Sequence, residues 1–168
     1  MMTLPLALET PNPRWRVRPV SMTDLEALHT NCWLERSFLS LYNLVSRVIT
    51  LAKEGSGLGV VFVDDDNSVR GYGQLTLWPN CAEITDLIVA ESHRSRGVGT
   101  TLIQHLMYAA KEMNVACVEI GAAVDNPRAL ALYRRLGFAD SHMLDINIGM
   151  RKHEVIYLRI DLKNRKDT

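Results

Sequence analysis

The stretch from Ala82 to Met113 constrains the fold more than any other part of the sequence. It begins with β-branched and aliphatic residues that end at Val89, continues through a charged loop from Glu91 to Gly97, and ends in a segment whose apolar residues recur at spacings of three and four. This pattern predicts a strand, a tight glycine turn and an amphipathic helix that packs on a sheet. Because such a turn gathers main-chain N–H groups at the positive end of a helix, we expect it to bind an anion such as a phosphate.

Two common phosphate-binding motifs do not fit the residues around Gly97 and Gly99. Thr100 and Thr101 follow Gly99 without the lysine that a P-loop for nucleoside triphosphates requires. A dinucleotide-binding fingerprint has three glycines, whereas this loop has two. Taken alone, the loop is equally consistent with a purely structural turn that is flanked by solvated arginines.

Length and charge narrow the possible classes of protein. A chain of 168 residues is long enough for one domain with a sizeable core. The 19 basic residues balance 19 acidic ones, which argues against nucleic acid as a partner, and no apolar run is long enough to span a membrane. We therefore predict one domain over residues 14–162, between tails at 1–13 and 163–168, with neither nucleic acid nor a membrane as partner.

The cysteines favour a reducing environment. Cys32, Cys81 and Cys117 are widely spaced and odd in number, which is more typical of free thiols in a cytoplasmic protein than of a disulfide framework. No CxxC motif or cluster of histidines and cysteines indicates a metal site, so we expect no metal.

The remaining chain divides into alternating strands and helices. The predicted order is strand, two helices, three strands, helix, strand, helix and two strands, which is an α/β fold with a mixed sheet. The strand at 115–122 should lie parallel to the strand that ends at Val89, because a helix connects them, and the last two strands should pair antiparallel. The residues predicted to bound the helices are Ser21, Gly55, Asn126, Pro127 and Gly137.

Two connecting segments have a plain structural interpretation. The acidic run from Asp64 to Asp66 lacks the ligand spacing of a calcium loop, and we predict a solvated hairpin turn there. The segment between Trp33 and Phe38 is interpreted as a helix–helix loop with buried aromatic side chains, with a substrate entrance as the alternative.

Two motifs, in this order and at this spacing, resemble those of the GNAT superfamily of N-acetyltransferases. The loop RSRGVG fits the family's Q/R-x-x-G-x-G/A motif, and the segment from Asn126 to Phe138 fits N-x-x-A-x-x-x-Y-x-x-x-G-F. The resemblance covers the chain from Val17 to Leu162. It implies the GNAT fold, in which a splayed mixed sheet of about seven strands is flanked by about four helices.

The resemblance also implies a site for acetyl-coenzyme A. The cofactor would lie where the strand ending at Val89 separates from the strand at 115–122. Main-chain groups at the end of the first strand would bind the pantetheine arm, the glycine loop would bind the pyrophosphate, and Asn126 would lie beside the arm. The implied cofactor-binding residues are Leu87, Ile88, Val89, Arg94, Ser95, Arg96, Gly97, Val98, Gly99, Thr100 and Asn126.

The resemblance further implies that Tyr133 is the proton donor to the departing thiolate, since a phenol can supply a proton within hydrogen-bond reach. Without the motif around it, Tyr133 would be interpreted as a core residue of an amphipathic helix.

An amine acceptor with a pKa near 10.4 is mostly protonated at neutral pH and needs a base or a water relay. Glu83 and Asp86 are the candidates, and we predict Glu83 to be the base, directly or through water, because its spacing from Arg94 matches the glutamate of the histone-acetylating branch of the family. Ala123 stands where many members carry a further acidic residue, and Glu119 is a distant third candidate. Both leading candidates also fit ordinary strand carboxylates.

The leading hypothesis is an enzyme that transfers an acetyl group from acetyl-coenzyme A to a primary amine by direct attack in a ternary complex. The amine belongs to a protein or a small molecule. A non-catalytic acyl-coenzyme A sensor is the alternative from another class of protein. The oligomeric state is open, with a homodimer as one arrangement.

Overall fold

A computed structural model of the protein describes residues 12–162. The predicted tails at 1–13 and 163–168 lie almost entirely outside the described residues. Within the described range, seven strands form one mixed sheet in the order β1-β2-β3-β4-β5-β7-β6, and four α-helices flank it. The elements are β1 (Arg16–Pro19), α1 (Leu25–Asn31), α2 (Phe38–Lys53), β2 (Gly57–Val63), β3 (Val69–Leu77), β4 (Ala82–Val89), α3 (Val98–Glu112), β5 (Cys117–Ala123), α4 (Pro127–Arg135), β6 (Ala139–Ile148) and β7 (Arg151–Asp161).

This order confirms the predicted fold class and its sequence of elements. Local signals explain the helix boundaries well. Ser21 and Asp24 form a capping box on a short 3-10 turn that leads into α1. Asn126 caps α4, Pro127 is its first residue, and Gly137 follows its end with φ of 99°.

The sheet separates two apolar cores. On one side, here called the α3 face, α3 and α4 pack on the central strands, with Leu102 and Leu106 fully buried. On the other side, the α2 face, α1 and α2 cover β2 and β3, and Leu41 and Val45 are fully buried. Because each helix carries one apolar stripe, each covers one face of the sheet.

The parallel pair in the middle of the sheet is short. β4 and β5 pair only at Ala82 with Val118, Glu83 with Glu119, and Ile84 with Ile120. Beyond these pairs both strands continue to their own ends without pairing to each other. The space between them is called the gap below, and it leaves one edge of residues 85–89 free of a neighbouring strand.

A β-bulge re-aims β4 as it enters the gap. Gln74 pairs with Thr85 and Tyr72 pairs with Ile88, so that two residues of β4 lie opposite one residue of β3. One of the two is Asp86, whose φ is 53°. As a result the alternation along β4 reverses: Ala82 and Ile84 before the bulge, and Leu87 and Val89 after it, all pack in the core of the α3 face.

Two interpretations of connecting segments are correct only in part. The acidic run forms the predicted hairpin turn, with Asp65 and Asp66 exposed, and the segment before Phe38 is the predicted loop between two helices, but one side chain in each segment departs from the prediction. Asp64 is 3% exposed, because its carboxylate accepts hydrogen bonds from the backbone of its own turn and from Arg70. Phe38 is 51% exposed, whereas Trp33 packs on the Tyr72 ring at a centroid distance of 5.4 Å.

The prediction of free cysteines is wrong for two of the three. Cys81 and Cys117 precede the first paired residues of β4 and β5, which brings their Cα atoms within 4.8 Å, and they form a disulfide. Cys32 remains a free thiol, and burial raises its pKa to about 11. No helix within residues 12–162 is both long enough and apolar enough to cross a membrane.

The disulfide makes a direct prediction about alkylation. In denaturant without reductant, a thiol-alkylating reagent should modify Cys32 alone, and mass spectrometry of the peptides should show this. With reductant all three cysteines should react. The bond closes a loop of 36 residues, so its reduction should lower the free energy of unfolding by up to about 4 kcal/mol and the melting temperature by about 10 °C. Alkylation of Cys81 and Cys117 without reductant would contradict the pairing.

Candidate active site

The loop between β4 and α3 has the backbone geometry of an anion site. Ser95 has φ of 61°, and Gly97, the N-cap of α3, has φ of 87°. Left-handed residues at such alternating positions direct successive N–H groups to one side. The 15 residues of α3 add the partial positive charge of the helix N-terminus at the same place.

A cavity of about 730 Å³ lies beside this loop, between the end of β4 and the first turns of α4. All the predicted cofactor-binding residues except Arg96 line it. The structure adds residues that were not among the predicted cofactor-binding residues: His93, Arg128, Ala129, Ala131, Leu132 and Arg135. Most of these follow Asn126 at helical spacing, so the inward face of α4 was a signal in the sequence that could have identified them.

The walls of the cavity are rich in positive charge. Arg94, Arg128 and Arg135 line it, and the N-termini of α3 and α4 both border it. The Arg128 guanidinium donates a hydrogen bond to the Ser95 hydroxyl, which ties α4 to the loop. Arg94 Nε donates to the carbonyl of Val89 at 3.2 Å. An elongated molecule with several phosphates would suit this distribution of charge.

Asn126 contributes to both the fold and the cavity. Its side-chain oxygen accepts a hydrogen bond from the Ala129 amide at 3.2 Å and so caps α4. The side-chain oxygen is therefore engaged, and the side-chain nitrogen is the group that Asn126 can direct to a ligand.

Tyr133 lies where this cavity meets the gap. It lines both the larger cavity and a second cavity of about 290 Å³ within the gap. The residue is 6% exposed, and no described residue forms a hydrogen bond with its hydroxyl. Burial raises the pKa of Tyr133 to about 12, so the phenol is protonated at neutral pH.

The two candidate carboxylates have different surroundings. Asp86 lines the gap cavity together with Tyr133, and its Oδ1 lies 4.0 Å from Arg36 Nη1. Glu83 lines neither cavity, and its Oε2 accepts a hydrogen bond from Trp78 Nε1 at 3.0 Å. The third candidate, Glu119, is the register partner of Glu83 and lies equally outside the gap. The structure thus brings Tyr133 and Asp86 to one cavity and leaves the glutamates beyond it.

The opening of the gap toward the α2 face is bordered by aromatic and charged side chains. The Arg36 guanidinium lies 5.4 Å from the centre of the Trp33 ring, which packs on Tyr72. The Tyr72 hydroxyl donates to Gln74 Oε1 at 2.9 Å, and burial followed by the charge of Asp86 raises the pKa of Tyr72. Within residues 12–162, no group of three or more histidine, cysteine or acidic side chains is placed to hold a metal ion.

Curated relatives match part of this chain. A streptothricin acetyltransferase of Streptomyces lavendulae is 31% identical over 81 residues, which cover 47% of this chain and 43% of the relative. An N-alpha-acetyltransferase of Sulfurisphaera tokodaii is 33% identical over 78 residues, or 44% of this chain and 47% of the relative. The matched regions thus span less than half the length of these relatives.

Solved structures share the fold over most of the chain. A spermidine N-acetyltransferase from Vibrio cholerae in complex with CoA and spermine has a TM-score of 0.72 at 24% identity and covers 89% of this chain and 96% of its own. A dodecameric structure of spermidine N-acetyltransferase from the same organism has a TM-score of 0.73 at 23% identity and covers 93% of this chain and 98% of its own.

The family model described as acetyltransferase (GNAT) family matches residues 21–138, which is more than half of the chain and includes the loop, the gap and α4. Together with the splayed sheet, this match establishes that the chain belongs to the GNAT family of acetyltransferases.

Proposed function

We propose that the protein is an acetyl-coenzyme A-dependent N-acetyltransferase that acts on a primary amine in a ternary complex. The observation that carries the proposal is the continuity between the two cavities. Leu87, Asn126, Ala129 and Tyr133 line both of them. A cofactor whose phosphates lie at the glycine loop would therefore extend its reactive end into the gap, where an amine can enter from the α2 face.

The residues present fit coenzyme A. The loop offers oriented N–H groups and the α3 N-terminus to a pyrophosphate, and Arg94 and Arg128 lie within the same wall. The unpaired edge of residues 85–89 offers main-chain groups to an extended amide-containing arm. When bound, acetyl-coenzyme A supplies an activated thioester and a thiolate leaving group.

Tyr133 would act as the proton donor. Its hydroxyl has no protein acceptor among the described residues and is available to a sulfur atom in the gap. Because its pKa is raised to about 12, the phenol stays protonated across the working pH range and stabilises the thiolate first by donating a hydrogen bond. Burial disfavours the phenolate as well as an ionised sulfur, so the phenol acts first as a hydrogen-bond donor, and it gives up its proton only as the departing sulfur becomes the stronger base.

Asp86 is proposed as the base that accepts the amine proton, directly or through water. Its place in the wall of the gap, beside Tyr133, supports this choice over Glu83. Its φ of 53° is the kind of local strain that tends to occur at active sites. Glu83, which the spacing of the motif favours, remains the alternative, with its carboxylate held by Trp78.

The pH dependence of turnover separates the two carboxylates. Asp86→Asn should lower the rate by about tenfold near pH 7, where only about one amine in a thousand is neutral. The deficit should shrink toward pH 10, because the amine then loses its proton without help. Glu83→Gln serves as the matched control and should give a profile nearly parallel to that of the parent. The reverse result would assign the base to Glu83, and two parallel profiles would assign proton removal to solvent.

The acceptor is best identified with a panel of amines. Thiol release should be measured with acetyl-coenzyme A and the acceptors that the relatives' names suggest: spermidine, streptothricin and peptides with a free N-terminus. Turnover with any amine, together with binding of coenzyme A, is the expected result. Binding of coenzyme A without turnover by any amine would favour the sensor, and the absence of binding would overturn the proposal.

A further inference from the structure

A buried carboxylate outside the cavity connects the β2–β3 turn to the glycine loop. The two oxygens of Asp64 have separate partners. Oδ1 accepts hydrogen bonds from the backbone amides of Asp66 at 3.0 Å and Ser68 at 2.9 Å. Oδ2 lies 2.9 Å from Arg70 Nε and 3.2 Å from His93 Nε2. One oxygen thus holds the turn, and the other holds two side chains that come from elsewhere.

His93 is the link between Asp64 and the cofactor cavity. It lines the cavity, directly before Arg94, and its side chain is 13% exposed. Its Nδ1 lies 2.8 Å from the Ser92 hydroxyl, so both ring nitrogens have partners. The Asp64 carboxylate thus lies at ion-pair distance on the Nε2 side of the ring and the Ser92 hydroxyl lies on the Nδ1 side, which together restrict the orientation of the ring.

The charge of Asp64 is maintained despite its burial. Burial raises the pKa of this carboxyl, but the Ser68 amide and the Arg70 guanidinium outweigh that effect, and the net shift is downward. The main chain follows the same connection, because the Ala90 amide donates to the carbonyl of Arg70 at 2.8 Å. The start of β3 and the start of the glycine loop are therefore joined by both main chain and side chains.

We propose that Asp64 is a positioning residue for the cofactor, which acts through His93 to hold the glycine loop in the geometry that binds phosphate. This inference rests on the proposed function. Asp64 does not line the cavity. It lies in a hairpin turn outside both motifs, so the sequence alone does not indicate this role.

Asp64→Asn tests the link with little change to the turn. The side-chain oxygen of asparagine can still accept from Asp66 and Ser68, while its NH₂ group faces both His93 and Arg70 in place of an acceptor, and the cycle with His93 described next separates the two lost contacts. The Kd for coenzyme A, measured by titration calorimetry, and the KM for acetyl-coenzyme A should both rise by about tenfold, as expected from the loss of one largely buried charged contact. The kcat should change less than about twofold, because no group at the reacting atoms is altered. Asp65→Asn, which removes the same charge from an exposed neighbour, should leave all three values unchanged.

A double-mutant cycle with His93→Ala shows whether the effect passes through His93. If it does, Asp64→Asn should weaken binding by less than about twofold when His93 is already absent. A full tenfold loss in that background, or equal binding by the parent and Asp64→Asn, would overturn the inference and leave the proposed function intact. A parent protein that does not bind coenzyme A would overturn both.

Discussion

Tyr133→Phe should lower kcat by about a hundredfold or more while the Kd for coenzyme A changes by less than about twofold. General acid catalysis contributes typically about 10²–10⁴-fold, and the substitution removes only the hydroxyl that would supply the proton. The ring remains, so its packing against Phe138, at a centroid distance of 6.5 Å, and the α4 backbone should be preserved. Steady-state kinetics of thiol release with a saturating amine, together with calorimetric binding of coenzyme A, would measure both values.

Tyr108→Phe is the matched control, because it removes a hydroxyl from α3 at a position that lines neither cavity. It should leave kcat and Kd unchanged. The pKa of Tyr133 is raised to about 12, so the phenol stays protonated below about pH 11. In the parent, no loss of rate in that pH range should therefore come from ionisation of Tyr133. Full activity in Tyr133→Phe would return this residue to a packing role, and water in the gap would then have to protonate the thiolate.

The sequence was sufficient for the features that depend on local signals. The helices have apolar stripes, and some of their starts carry a recognisable cap, such as Ser21 for the first turn and Asn126 for α4, so the order of elements could be predicted without tertiary information. The glycine loop was predicted for the same reason. Its anion-binding geometry is set by Gly97 and the helix that follows, within one stretch of chain.

The features that were missed depend on strand register and on contacts between distant segments. The bulge that turns Asp86 into the gap arises from the pairing of β4 with β3. The spacing of Glu83 from Arg94, on which the choice of Glu83 rested, carries no information about this bulge. The same applies to the burial of Asp64, whose partner His93 is 29 residues away in the sequence (93 − 64). The pairing of Cys81 with Cys117 likewise follows from the register of β4 and β5. The number of cysteines in a sequence is therefore a weaker guide to disulfide bonds than the positions of two cysteines on neighbouring parallel strands.

Gly97→Val should abolish the stabilisation of the protein by coenzyme A. Gly97 has φ of 87°, a conformation that costs a β-branched residue about 1–3 kcal/mol, and its N–H belongs to the loop that would bind the pyrophosphate. A ligand at 100 times its Kd stabilises the folded state by about 2.7 kcal/mol, which corresponds to a rise in melting temperature of about 5–10 °C. If the substitution weakens binding by about a hundredfold or more, that gain falls to about 0.4 kcal/mol or less at the same concentration. Thermal denaturation with and without coenzyme A measures this difference directly.

The control for backbone strain is Gly55→Val. Gly55 has φ of 71°, follows the end of α2, and has no atom within 4 Å of an added Cβ, so this substitution introduces comparable strain outside the cavity. We expect Gly55→Val to lower the melting temperature of the free protein by an amount similar to Gly97→Val and to keep the full gain on addition of coenzyme A. If both variants lose the rise in melting temperature on addition of coenzyme A, the loss in Gly97→Val is explained by general destabilisation. If Gly97→Val is folded and keeps it, the cofactor phosphates do not bind at this loop, and the positive charge of Arg94 and Arg128 would have to serve another ligand.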